Sequence, residues 1–162
     1  MVADYAIPAA PLELCEEIKK SRFITLIAHA PTVEAAEPLP GEEVLLDANL
    51  EAQGHEFFSL GAFSLSDDGD FLAWSTDTKG DERFTIKVRR LSTGEILADE
   101  ITNAAHGVTW SADGRYLFYV TVDDAWRPHQ VWRHELGANA ADVLVFEEPD
   151  ERYFVGVGRT AS

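Results

Sequence analysis

From Leu60 onward, apolar and polar residues alternate or gather in short runs, broken roughly every eight to twelve residues by Gly, Asp, Asn or Pro. This is the spacing of strands and turns, with almost none of the 3.6-residue periodicity of helices. The pattern predicts strands over 60–65, 71–76 and 84–91, and a short outer strand near 96–98. A second series follows over 107–110, 116–122, 130–136 and 143–146. The segments 66–69 (SDDG) and 111–114 (SADG) carry hairpin chemistry: Asp side chains bond local backbone N–H groups, and Gly tolerates positive φ.

The two series are one pattern written twice. FSLSDDGDFLAWST at 63–76 returns as VTWSADGRYLFYVT at 108–121, an offset of 45 residues that Ile86 and Val131, and Leu91 and Leu136, also keep. Four antiparallel strands in 40 to 50 residues is the period of a β-propeller blade. The expected fold is therefore all-β and mainly antiparallel, with two blades near 60–98 and 106–146. A third unit is expected to begin at 152, and residues 43–47 are expected to be the outermost strand of an earlier blade. Closed propellers typically have about 4 to 8 blades, so two blades and two remnants do not close a ring.

Ahead of the blades the pattern changes. Residues 12–18 and 23–28 are expected to pair as a hairpin around Lys19, Lys20, Ser21 and Arg22, with a short helix starting at Thr32. EPLPGEE, at 37–43, reads as a junction. The expected organisation is an N-terminal segment over 1–36, that junction, and a partial propeller over 44–162.

Composition narrows the chemistry. The formal charge of −16 over 162 residues repels nucleic-acid phosphates and anionic membrane surfaces, so neither partner is expected. No apolar run is long enough to span a bilayer, and MVADYAIPAAPLELCEE has no signal-peptide pattern, so a cytoplasmic location is expected. Cys15 is the one cysteine, and Glu16 and Glu17 beside it would raise its thiol pKa rather than activate it.

Candidate sites fare poorly against packing. His129 and His134 stand five apart on a strand and point to opposite faces, which does not make a metal pair. His55 and Glu56 lack the second His of a zinc helix, because position 59 is Ser. His106 reads as a loop or capping residue. Trp74, Trp110, Trp126 and Trp132, with Phe57, Phe58, Tyr116, Phe118 and Tyr119, are expected to pack the blades. The tripeptides Asp81-Glu82-Arg83 and Asp150-Glu151-Arg152 read as charged strand entrances. There is no GxSxG elbow to present a nucleophilic serine. No catalytic, cofactor-binding or metal residue is assigned, and no cofactor is expected.

Two stretches carry family resemblances. Residues 41–162, through GEEVLLDANLEAQGHEFFSLGAFSLSDDGDFLAWSTDTKGDERFTIKVRRLSTGE, HGVTWSADGRYLFYVTVDD, QVWRHELG and EEPDERYFVGVG, resemble the N-terminal propeller of oligopeptidase B in the prolyl oligopeptidase family. The resemblance implies a seven-bladed propeller that restricts access to an α/β-hydrolase domain cleaving after basic residues. It also implies that the Ser, Asp and His of catalysis lie in that other domain, so none is carried over here. Residues 5–36, through YAIPAAPLELCEEIKKSRFITLIAHAPTVEAA, resemble the start of the YigZ/IMPACT family.

The chain thus reads as a chimera of two truncated parents. The expected behaviour is self-association through uncovered blade faces, without catalysis. The alternative is an accessory propeller piece that gates a separate serine peptidase domain.

Overall fold

A computed structural model describes residues 12–18, 21–27, 44–138 and 140–160. The chain divides into two compact units, Met1–Val44 and Leu45–Ser162.

In the first unit β1 (Leu12–Ile18) pairs antiparallel with β2 (Ser21–Ile27), in register from Leu12 opposite Ile27 to Ile18 opposite Ser21. The hairpin is tighter than the sequence suggests. Ser21 and Arg22 belong to the second strand, and two residues rather than four connect the pair. The helix expected at Thr32 and the junction at 37–43 lie outside the described residues.

In the second unit the segment expected as a strand over 43–47 is, where described, irregular chain leading into α1 (Ala48–Glu51). Asp47 decides this: its carboxylate accepts from the N–H groups of Asn49 at 2.9 Å and Leu50 at 3.3 Å. An N-cap of this kind satisfies donors that a first helical turn leaves without partners.

Seven antiparallel strands then form one sheet in chain order: β3 (Ser59–Leu65), β4 (Phe71–Asp77), β5 (Phe84–Arg90), β6 (Ile96–Trp110), β7 (Tyr116–Val122), β8 (Pro128–Glu135) and β9 (Val143–Glu147). Six fall within one or two residues of the sequence expectation. The exception is β6, which merges the short outer strand near 96–98 with the next inner strand into one run of 15 residues. Ala104 shows how: it pairs with Phe84 on one side and with Thr121 on the other. Asn103, at φ 61°, and a register shift between Ala104 and Val108 bend the strand there without ending it. The outer half of β6 closes the first blade and its inner half opens the second.

The two SxDG turns are superimposable in their bonding. Ser66 Oγ donates to Asp68 Oδ1 at 2.6 Å and accepts from the Phe71 N–H at 3.0 Å. Ser111 Oγ donates to Asp113 Oδ1 at 2.6 Å and accepts from the Tyr116 N–H at 2.9 Å. Gly69 and Gly114 sit at φ 74° and 69°, a region that a side chain disfavours.

Between the turns lies one shared core of Ala73, Ile86, Val88, Ile101, Ala104, Val108, Trp110, Leu117 and Tyr119. Both blades contribute to it. Trp110 of the second blade donates its indole N–H to Ser64 O of the first at 3.0 Å. Ser75, fully buried on β4, stitches β3 to β6 by accepting from the Ala62 N–H at 2.7 Å and donating to His106 O at 2.6 Å.

The expected third blade does not add a strand. Residues 152–160 run outside the ladders, held by Val155 N–H to Pro128 O at 3.0 Å and by an Arg159–Asp67 ion pair. The outermost strands are apolar and uncovered: Leu60, Phe63 and Leu65 on β3, and Val143, Leu144, Val145 and Phe146 on β9, are all exposed. Among the described residues no helix is long and apolar enough to cross a membrane.

Candidate functional site

A concave surface of the second unit, about 630 Å³, opens where the β4–β5 and β7–β8 loops meet. Phe84 and Gly61 line its base, and a Cβ added to Gly61 would lie 2.7 Å from the Phe84 ring. Phe57, Leu60 and Trp126 form apolar walls, and Glu82 and His106 add polar groups.

The two loops are tied to each other. The Trp126 indole N–H donates to Asp81 O at 3.0 Å, and the Arg83 guanidinium lies 5.4 Å from the centre of the Trp126 ring. Arg83 also donates to Asn103 Oδ1 at 2.7 Å and to Asp123 O at 3.2 Å. Glu82 and Trp126 are held at φ 56° and 59°, an uncommon conformation for residues with side chains.

The groove's buried carboxylate is occupied. Asp77 accepts from the N–H groups of Lys79 at 2.8 Å, Gly80 at 2.9 Å and Glu82 at 2.9 Å. Burial pushes its pKa up, but these donors outweigh it and hold the carboxyl below its ordinary value. Asp77 organises the loop as an anion. It is poorly suited to take up a proton.

A second polar cluster joins residues of β6, β8 and the segment before β9. His134 on β8 lies between Asp142 Oδ1, 2.7 Å from Nδ1, and Asp99 Oδ1, 2.9 Å from Nε2. Gly137 N–H donates to the same Asp99 oxygen at 2.7 Å, and the Tyr119 hydroxyl donates to Asp142 Oδ2 at 2.6 Å. Burial opposes a charge on His134, yet the two carboxylates prevail and its pKa is raised. Burial, then the Asp142 bond, raises the Tyr119 phenol as well.

These placements sort the residues singled out from sequence. Trp74, Trp110 and Tyr119 are buried, as the packing argument requires, but Phe57 and Trp126 stand exposed at the groove. Asp81 and Asp150 each accept from the N–H two residues on, at 3.2 and 3.1 Å, so each DER closes its own turn. His134 is held by carboxylates rather than by His129, and among the described residues no three His, Cys, Asp or Glu side chains gather as metal ligands. The roles of Asp99 and Asp142 escape sequence reading. The 45-residue frame aligns only His134, with Arg89, and so marks a repeated basic position without its acidic partners.

Residues 21–162 match the model of the prolyl oligopeptidase N-terminal beta-propeller domain. The chain belongs to this family. The prolyl oligopeptidase-type propeller is 41% identical over 128 residues to dipeptidyl aminopeptidase BI of Pseudoxanthomonas mexicana, a match covering 78% of this chain and 18% of that protein. It also resembles the structure of oligopeptidase B from Leishmania major, with a TM-score of 0.65 and 32% identity over 71% of this chain and 17% of the other. The propeller chain thus spans less than a fifth of the length of these relatives, and the family model matched is their propeller rather than a hydrolase domain. A separate likeness, 66% identical over 32 residues, is to the IMPACT family member YigZ of Escherichia coli, covering 20% of this chain and 16% of that protein.

Proposed function

We propose that residues 44–162 are a non-catalytic propeller segment of the oligopeptidase B type that self-associates through its uncovered blade faces. In this reading residues 1–36 are a YigZ/IMPACT-type segment joined through 37–43, and the chain is a chimera. The observation that carries the reading is the apolar character of both outermost strands, Leu60, Phe63 and Leu65 on β3 and Val143 to Phe146 on β9. An open sheet with such ends offers unpaired backbone and apolar area together, the combination that favours pairing with another chain. Light scattering over a concentration series, paired with a thermal melt, tests it. A defined multimer that melts cooperatively is expected, and a monomer throughout the series would overturn the reading.

A second reading rests on the relatives' length. Because the chain spans 18% of a peptidase relative, it would act as an accessory piece that docks on a separate serine peptidase domain and gates it. Adding the chain to such a domain should then change cleavage of long peptides more than of short ones. Equal rates with and without the chain would exclude this role.

A further inference from the structure

His134 is flanked on both ring nitrogens by carboxylate oxygens, Asp142 Oδ1 and Asp99 Oδ1. A carboxylate can only accept, and Asp99 Oδ1 already accepts from Gly137 N–H. A neutral imidazole has one N–H and one lone pair. It would satisfy one aspartate and aim its lone pair at the other. Imidazolium satisfies both.

The three groups come from different parts of the second unit. Asp99 lies on the outer half of β6, in the first blade. His134 lies on β8, and Asp142 directly precedes β9, both in the second blade. We propose that His134 is a proton-operated clasp between the blades: as imidazolium it binds Asp99 and Asp142 together, and on losing its proton to solvent it releases one of them. Release loosens the joint between β6 and β8 or frees the segment that seats β9.

The surroundings point the same way. From β7 the cluster meets Tyr119, whose hydroxyl donates to Asp142, and Leu117, which pairs opposite His134 and brings no charge. On β8 itself the neighbouring charges are engaged elsewhere: Arg133 lies over the Tyr116 ring at 4.7 Å, and Glu135 pairs with Arg115 at 3.1 Å. From β6 and the 137–142 segment the facing charges are Asp99 and Asp142, both negative. The raised pKa of His134 agrees with the geometry. A raised value means that the clasp's contribution is complete below the unfolded histidine value of about 6.5 and is lost as pH rises through the folded value.

The test is a ring-nitrogen NMR titration of the full chain, with amide hydrogen exchange read at each pH. The expected result is that both His134 nitrogens stay protonated above the ordinary histidine range. Exchange at 97–101 and 137–144 should then rise several-fold, relative to β4, across the same midpoint. His134→Gln should exchange fast in those segments at every pH. Asp99→Asn should lower the midpoint, and it keeps the test decisive should the glutamine variant fail to fold. A His134 that titrates at or below the ordinary value, or local exchange that follows β4 throughout, would overturn the clasp.

Discussion

Arg89 and His134 stand 45 residues apart and occupy the same place in their blades. Arg89 Nη1 donates to Leu45 O at 2.8 Å, whereas His134 Nε2 meets Asp99 Oδ1 at 2.9 Å. Each is a basic side chain on the third strand of its blade, and each reaches back to chain that precedes that blade. Arg89 spans its joint with a guanidinium that also reaches Glu51 at 4.0 Å and the face of Trp74 at 5.4 Å.

Replacing Arg89 by Met should therefore loosen the 44–51 segment selectively. The aliphatic stem is retained, while the bond to Leu45 O and the cation over Trp74 are lost. A cost of about 1–2 kcal/mol is expected in urea unfolding, with faster exchange at 48–52 and little change around β8.

The twin turns predict twin penalties. Ser66→Ala and Ser111→Ala each remove a hydroxyl that bridges an Asp to the first N–H of the following strand. Each should cost about 1 kcal/mol, and chemical denaturation should give the two variants values within about 0.5 kcal/mol of each other. A much larger loss at one turn would mean that the blades do not share their burden equally.

Asp77 should govern an acid limb of the stability curve. Its folded pKa lies below the unfolded value near 3.8, so its contribution is present above that value and is lost as pH falls through the folded one. Asp77→Asn keeps the shape and removes the charge that three backbone N–H groups share. The variant should be less stable by about 2–3 kcal/mol at neutral pH. That difference should shrink toward zero in strong acid, which thermal melts across the acid range would measure.

A lysine placed on either outermost strand should oppose association. Phe63→Lys on β3 and Phe146→Lys on β9 substitute exposed side chains, so folding should change little. At least one should weaken self-association about tenfold, equivalent to about 1.4 kcal/mol, in light scattering. Unchanged association in both would move the contact away from the sheet's ends.

Most of the sheet was legible because strand alternation and SxDG turns are local signals. Leu72, Ala73 and Trp74 announce a buried strand wherever the turn before them is recognised. β6 was not legible in the same way. Asn103-Ala104-Ala105-His106 has the small and polar character of a loop, and only pairing of Ala104 on both sides makes it strand. At 44–47 three apolar residues outweighed Asp47, although an Asp before Ala-Asn-Leu-Glu is an N-cap signal. Phe57 and Trp126 show a different limit. An aromatic residue at a loop reads the same whether it fills a core or walls a groove, and its exposure depends on which loop faces it. For His134, the partner Asp99 lies 35 residues away and no periodicity points to it.

The long β6 strand makes the sequence repeat and the structural blade run out of phase. A 45-residue duplication beginning at an SxDG turn would copy three strands of one blade and the first strand of the next, so each added copy arrives already interlocked with its predecessor. Growth of such an array needs no new junction. The reverse also holds: a break in the outer half of Ile96–Trp110 deprives the first blade of its closing strand and one in the inner half deprives the second of its opening strand, so the division between the blades narrows to the residues around Ala104, which pairs on both sides.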